Sequence, residues 1–118
     1  MKASEKTFRT EFVQVSTTVD TKKTATSIAM KLLKGRLTSC VQIVGPITSR
    51  YWWKGTIQNA REWSCLIKAR AQDYRMIELA LKKMHPYETP EIIALPILFG
   101  DSNYLNWIRR ETVRSTSR

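Results

Sequence analysis

Residues 39–55 read Ser-Cys-Val-Gln-Ile-Val-Gly-Pro-Ile-Thr-Ser-Arg-Tyr-Trp-Trp-Lys-Gly, and this stretch decides the fold. Its β-branched and apolar residues predict a strand, which the Gly-Pro pair should bend or bulge in the middle. Trp-Lys-Gly supplies a turn signal at the end. Over residues 62–70 polar and apolar side chains alternate, so a second strand follows with one face turned towards a core. The sequence therefore predicts a long β-hairpin.

The predicted hairpin is too long for one small sheet. Strands of roughly ten residues reach about 33 Å, farther than a four-stranded sheet of this size covers. The aromatic side chains near its tip are too apolar to leave in water, so they must pack on another surface. We therefore expect an oligomer in which each hairpin extends a neighbour's sheet and closes its exposed edge. The candidate interface residues are Tyr51, Trp52, Trp53, Trp63 and Trp107.

The elements before the hairpin are a strand and a helix. Residues 12–18 are β-branched and alternating, which predicts a strand. Residues 21–34 repeat apolar side chains at helical spacing, with Asp20 available as the N-cap. Gly35 should end this helix in the left-handed region, where glycine meets no steric cost.

The elements after the hairpin repeat this order. Asp73 can cap a second helix, which His85-Pro86 stops because proline cannot continue the hydrogen-bond ladder. Residues 91–98 are nearly all apolar and predict a strand in which Pro96 must lie at an edge, a bulge or a strand end. Asp101 then begins a short terminal helix.

The order β-α-β-β-α-β plus a terminal helix is the split pattern of ferredoxin-like α+β sandwiches. We expect one domain over residues 12–112, between a flexible N-terminal segment (1–11) and a flexible tail (113–118). The length of 118 residues agrees with a single core.

A formal net charge of +10 is the most unusual feature of the composition. Such a surface attracts nucleic acid, anionic membranes and acidic ligands alike. The basic residues are dispersed, and no nucleic-acid-binding module is recognisable, so we do not expect nucleic acid as a partner. The chain has no long apolar run and no secretory leader, so we expect no membrane association and a cytoplasmic location. Cys40 and Cys65 lack metal-binding or dithiol spacing and are expected to be reduced.

His85 is the only histidine and lies at a predicted helix end. Its imidazole could bind a metal with a neighbouring carboxylate, or it could cap the carbonyls of its own helix. Glu62, Lys68 and Glu88 could form a polar site, or weak ion pairs at a rim. No motif pairs a nucleophile with a base, so we expect no enzyme activity.

Four motifs resemble the CutA family, the divalent-cation tolerance proteins. They are Leu-Leu-x-x-Arg-Leu-x-x-Cys-Val (32–41), Ile-Thr-Ser-x-Tyr-x-Trp-Lys-Gly (47–55), His-Pro-Tyr-Glu-x-Pro-Glu-Ile-Ile-Ala-Leu-Pro (85–96) and Tyr-Leu-x-Trp (104–107). The resemblance runs from about residue 13 to residue 112. It implies a homotrimer with crossing hairpins, similar to PII signalling proteins, and a non-catalytic cytoplasmic role linked to copper and other divalent cations.

The resemblance also implies ligand positions. The family's candidate cation ligands match Ser16, Met84 and His85, with Tyr87 and Glu88 nearby. No tightly bound cofactor is expected, and Cu²⁺ is the candidate ion. Two alternatives stay open: a regulator that binds an anion or small molecule at subunit clefts through Glu62, Lys68 and Arg70, and a purely structural trimeric scaffold.

Overall fold

Four strands and three α-helices form the fold, as a computed structural model that describes residues 9–114 shows. In chain order they are β1 (Phe12–Val19), α1 (Lys22–Lys34), β2 (Cys40–Trp53), β3 (Thr56–Arg70), a 3₁₀ turn (Ala71–Asp73), α2 (Tyr74–Met84), β4 (Ile93–Ile97) and α3 (Ser102–Glu111). Among these described residues, no helix has both the length and the apolar character that a membrane span needs.

The strands make one antiparallel sheet in the order β2-β3-β1-β4. Consecutive strands β2 and β3 form a hairpin, and β1 lies between β3 and β4. This order agrees with the split βαβ pattern that the sequence predicts. The predicted α+β class and element order are confirmed.

The main core lies between one side of the sheet and the helices α1 and α2, although Phe12, on the other side of β1, is also buried beneath Arg109 of α3. Alternation turns every second residue of β1 and β3 towards the helices. The buried apolar residues on this side are Val13, Val15, Val19, Cys65, Ile67 and Ala69, and the helices add Ala25, Ile28, Leu32, Ile77 and Leu81. Both cysteines are free thiols, as expected.

Helix α1 ends at Lys34 with Gly35 as its C-cap, as predicted, but the N-cap and the left-handed residue are each one position farther along the chain. Thr21, not Asp20, is the N-cap, and its hydroxyl accepts a hydrogen bond from the amide of Thr24. Gly35 has φ −80°, and the left-handed residue is Arg36 with φ 59°. The amide of Leu37 donates to the carbonyl of Leu32, which closes the turn around Arg36.

Asp73 does not cap α2, contrary to the prediction. It precedes the helix, but its side chain accepts no helix amide. Its buried carboxylate instead binds Arg70 at 3.1 Å and Arg114 at 2.7 Å. Two guanidinium groups compete for the carboxylate more strongly than a backbone amide does.

The last strand is shorter than predicted. The apolar run covers residues 91–98, but only Ile93–Ile97 pair, opposite residues 12–16 of β1. The outer side of β4 has no partner strand among the described residues. Composition alone cannot fix the length of such an edge strand, because the partner sets it.

The β2–β3 hairpin extends well beyond the rest of the sheet. Pairing with β1 ends at Trp63, so residues 56–62 of β3 pair with β2 alone in the described part of the chain. Seven residues correspond to about 23 Å of two-stranded ribbon. Lys54 and Gly55 form its two-residue turn, both with positive φ, as a tight hairpin requires. The predicted irregularity lies between Val44 and Ile47.

The ends of the described chain are attached to the domain. Glu11 binds Arg109 through its carboxylate, and its carbonyl accepts from Ala71. Arg114 binds Asp73. The flexible ends predicted from the sequence, 1–11 and 113–118, therefore include two residues that contact the domain, and their flexibility stays a prediction. Residues 1–8 and 115–118 of these segments lie outside the described residues.

Candidate functional site

The segment between α2 and β4 (residues 85–92, the α2–β4 loop) passes over the end of β1, where His85 fixes it. The Nε2 atom of His85 lies 2.8 Å from the carbonyl oxygen of Thr18 and 3.1 Å from the hydroxyl of Thr17. The amide of Tyr87 donates to Nδ1 at 3.2 Å. Since Nδ1 accepts, Nε2 carries the proton and donates to Thr18.

His85 therefore has both ring nitrogens engaged by the protein. Burial lowers its pKa, although the carbonyl of Thr18 and the charges of Asp20 and Glu62 act in the opposite direction. The ring does not cap its own helix, which was one of the two sequence interpretations. A metal ion would have to displace either the Tyr87 amide or the contacts with β1.

Tyr87 continues this chain of contacts to β3. Its hydroxyl donates a 2.7 Å hydrogen bond to Oε2 of Glu62, and its ring lies 4.8 Å from that of His85. Burial first, and then the hydrogen bond with Glu62, raise the pKa of Tyr87 well above its usual range. Glu62 is only 5% exposed. The loop is thus anchored to two strands through two side chains.

A cleft of about 630 Å³ opens beside these contacts, and we call it the loop cleft. This volume is in the range of small-molecule sites. Its wall combines three carboxylates, one guanidinium, three aliphatic hydroxyls and three aromatic side chains, two of which are tyrosines. They belong to Thr18, Ser49, Arg50, Tyr51, Trp53, Glu62, Tyr87, Glu88, Thr89 and Glu91.

The four predicted metal ligands are not gathered in one place. Thr17 faces the helices and contacts His85, so its neighbour Ser16 points to the opposite side of the sheet. Met84 packs against the core, and Glu88 lines the loop cleft. Among residues 9–114, no three His, Cys, Asp or Glu side chains are close enough to hold one ion.

The predicted ligand-binding residues divide into two pairs. Glu62 and Tyr87 are in contact at the loop cleft. Lys68 lies six residues along β3, about 20 Å away at strand spacing, and donates to Gln42. Arg70 lies farther still and binds Asp73 and the carbonyl of Thr112.

The five aromatic residues predicted to lie at an interface differ in how far they are exposed in the single chain. Trp52 is 71% exposed, and Tyr51 and Trp53 are exposed on the same ribbon. Trp63 is half-buried within its own protomer, where it packs against the core and directly over Gly45. Trp107 is half-buried on α3, beside Tyr104.

Sequence reasoning missed the contributions of Arg50, Ser49, Thr18 and Glu91 to the loop cleft. These residues come from three segments that only the folded sheet brings together. For one of them the sequence did contain a signal: Glu91 is the second acidic residue of the Tyr-Glu-Thr-Pro-Glu stretch and lies two residues before β4.

Proteins of one known family are similar in sequence to most of this chain. A family profile described as CutA1 divalent ion tolerance protein matches residues 13–111. The divalent-cation tolerance protein CutA of Thermus thermophilus is 39% identical over 95 residues, which cover 80% of this chain and 92% of the relative. Its counterpart in Escherichia coli K12 is 34% identical over 104 residues, covering 88% and 93%.

Solved structures agree with the sequence comparison. The crystal structure of the stable protein CutA1 from the psychrotrophic bacterium Shewanella sp. SIB1 has a TM-score of 0.86 at 38% identity, covering 88% of this chain and 97% of that one. A protein described as the periplasmic divalent cation tolerance protein CutA, from Archaeoglobus fulgidus, has a TM-score of 0.84 at 34% identity, covering 86% and 99%.

The fold is therefore that of a small α+β protein with a four-stranded antiparallel sheet and three helices, as in CutA1 structures. The chain belongs to the CutA family of divalent-cation tolerance proteins. Proteins of this family are named for tolerance of cations and not for an enzymatic reaction.

Proposed function

We propose that this chain serves divalent-cation tolerance as a non-catalytic cytoplasmic homotrimer, with an architecture similar to that of PII proteins. The observation that carries this proposal is the ribbon formed by residues 56–62 and their partners in β2. About 23 Å of two-stranded sheet cannot stabilise itself in water, and its end carries Tyr51, Trp52 and Trp53. A neighbouring copy supplies the missing surface.

The open face of the sheet supports the same proposal. It lies opposite α1 and α2, and α3 reaches it near Phe12. Leu66, Ile93 and Leu95 form an adjacent apolar group on this face through their pairing with β1. Ile93 and Leu95 are about half exposed in the single chain. Covering such a patch with a second copy removes apolar area from water at about 25 cal/mol per Å².

Light scattering tests the assembly directly. We expect a particle of three times the 13.7 kDa chain mass at low micromolar concentration. Leu95→Glu should dissociate it, because a charge would be buried in the interface. Met30→Glu, on the exposed side of α1, is the matched control and should stay assembled. A folded wild-type monomer would overturn the proposal.

We further propose that His85 is the first candidate ligand for a divalent cation such as Cu²⁺. Met84 and Glu88 are the nearest predicted companions in sequence. Because Ser16 and His85 lie on opposite sides of one sheet, Ser16 could join His85 on one ion only from another copy. No tightly bound cofactor is required by this proposal.

Calorimetry with Cu²⁺ and Zn²⁺ tests the metal proposal. His85→Ala should weaken binding at least tenfold, whereas Asp101→Asn, far along the chain at the cap of α3, should leave it unchanged. Equal affinities of wild type and His85→Ala would remove His85 from the proposed site.

The location is tested separately. The two free thiols favour a reducing compartment. Fractionation of cells that produce the untagged chain should place it with cytoplasmic markers, and release with the periplasmic fraction would contradict this part of the proposal.

A small-molecule regulator is the second candidate function, because the loop cleft has the volume and the mixed lining of a ligand site. Binding of an anion is less well supported, because the two predicted basic ligands lie outside the loop cleft. Lys68 donates to Gln42, and Arg70 donates to Asp73. A thermal-shift screen with metabolites tests the cleft. Absence of any shift, together with absence of metal binding, would leave the scaffold alternative.

A further inference from the structure

The acidic side chains of the described residues fall into two groups. One group has arginine partners within salt-bridge distance, and it consists of Glu11, Asp73, Glu78 and Glu111. In the stretch from residue 9 to residue 114, the others form no ion pair, and they are Asp20, Glu62, Glu88, Glu91 and Asp101. Asp101 caps α3.

The remaining four unpaired acids gather in one region. Glu62, Glu88 and Glu91 line the loop cleft, and Asp20 is near enough for its charge to act on His85 and Tyr87. This concentration of negative charge occurs in a chain whose net charge is +10. Basic side chains are abundant, yet among residues 9–114 Arg50 is the only one that lines the cleft.

Glu62 carries the inference because it is buried and lacks a cationic partner. It is 5% exposed, and the only side chain that donates to it, within the described part of the chain, is the neutral hydroxyl of Tyr87. A buried carboxylate is costly unless a positive group or several donors compensate it. Asp73, which is equally buried, has two arginines. Within residues 9–114 of one chain, Glu62 therefore has no cationic partner, and the cleft beside it has room for one.

The walls of the cleft indicate what kind of cation this is. The aromatic rings of Tyr51, Trp53 and Tyr87 line it together with the carboxylates. Aromatic faces attract ammonium groups and accept the apolar body of an organic ligand. A bare metal ion would need converging ligands, and within residues 9–114 no three His, Cys, Asp or Glu side chains converge on one point. Carboxylates at separate points of the wall can instead each bind one ammonium group of a ligand that carries several such groups along an aliphatic chain.

We infer that the loop cleft binds an organic cation with more than one primary ammonium group, an aliphatic diamine or polyamine, with Glu62 as the buried anchor and Glu88 and Glu91 at the rim. This inference rests on the second function proposed above, ligand binding at the loop cleft. It uses a different anchor residue from the metal proposal, and it shares Tyr51 and Trp53 with the ribbon that a neighbouring copy contacts in the proposed trimer.

Calorimetry on the full chain with 1,4-diaminobutane and spermidine tests the inference, with 1,4-butanediol as the uncharged probe of the same length. We expect both amines to bind, spermidine more tightly, and the diol to give no heat. Glu62→Gln keeps an acceptor for Tyr87 and removes the charge, so it should weaken amine binding at least about tenfold. Glu78→Gln removes one charge from α2, outside the cleft, and should change the affinity less than twofold.

Glu88→Gln guards against a folding defect in the Glu62 variant, because Glu88 is exposed. It should weaken spermidine more than 1,4-diaminobutane. No binding of either amine, or equal losses in Glu62→Gln and Glu78→Gln, would overturn the inference. If a neutral metabolite or a metal ion bound instead and Glu62→Gln abolished it, the amine inference would fail while ligand binding at the cleft would stand.

Discussion

The carboxylate of Asp73 and the guanidinium of Arg114 lie 2.7 Å apart, although 41 residues separate them in the chain. Arg70 occupies the other carboxylate oxygen, and Arg114 also donates to the carbonyl of Arg36. One buried acid thus connects the end of β3, the end of α1 and the residues after α3. This junction holds the residues after α3, while the ion pairs Glu11–Arg109 and Arg36–Glu111 hold the helix itself.

Replacing Asp73 should destabilise the protein strongly, because two arginines would be left without their partner. We expect Asp73→Ala to lower the free energy of unfolding by about 3 kcal/mol, measured by urea unfolding at one protein concentration. Arg75→Ala breaks an ion pair whose arginine is exposed and should cost less than about 1 kcal/mol. Similar losses in the two variants would show that the junction contributes little.

The hydrogen bond between Tyr87 and Glu62 is the second measurable contact. Tyr87→Phe keeps the ring against His85 and removes the only described donor to a buried carboxylate. We expect a loss of about 1–3 kcal/mol in the free energy of unfolding. Tyr74→Phe removes a longer contact, 3.4 Å to Glu78, and should cost less than about 0.5 kcal/mol. An unchanged midpoint in Tyr87→Phe would mean that water replaces the hydroxyl.

Local signals in the sequence predicted the elements well. Three of these signals act on neighbouring residues, so the sequence alone predicts their effect. They are the alternation in β3, the proline that follows His85 at the end of α2, and the Lys-Gly pair in the hairpin turn. The cap of α3 at Asp101 was correct for the same reason.

Predictions failed where a distant residue decides the outcome. Asp73 directly precedes a helix, as a capping residue does, but its carboxylate binds Arg114, which is 41 residues away in the sequence. The loop cleft joins residues of β1, β2, β3 and the α2–β4 loop, so no single segment contains its pattern. The shift of the left-handed residue from Gly35 to Arg36 goes against local preference, since glycine is the residue that adopts positive φ at least cost. Leu37, which follows Arg36, packs against the core.

Gly45 is required by the ring of Trp63. A Cβ atom on Gly45 would collide with the indole ring, which packs against the core and has little room to retreat. Gly45→Ala should therefore cost about 1–3 kcal/mol of unfolding free energy and change the fluorescence of the ring. Gly35→Ala meets only ordinary contacts at φ −80° and should be neutral or stabilising by up to about 1 kcal/mol. Equal effects of the two substitutions would contradict the close approach.

The single histidine makes the pH dependence of stability interpretable between pH 5 and pH 7.5. Burial lowers the pKa of His85 below its ordinary value of 6.5. As the pH falls below about 6.5, His85 becomes protonated in the unfolded chain but stays neutral in the folded chain. The free energy of unfolding should therefore decrease, with a slope of at most about 1.4 kcal/mol per pH unit, until the folded pKa is reached. Above that window this residue contributes no pH dependence.

Urea unfolding at pH 7.5, 6.5 and 5.5, at constant ionic strength and protein concentration, measures this slope. His85→Gln should be less stable at pH 7.5, because it disturbs the contacts with Thr18 and Tyr87, and it should lose the slope. Lys31→Gln, on the exposed side of α1, is the control and should keep the wild-type slope. A wild type whose stability rises as the pH falls through 6.5 would mean that the acidic surroundings of His85, Asp20 and Glu62, outweigh its burial.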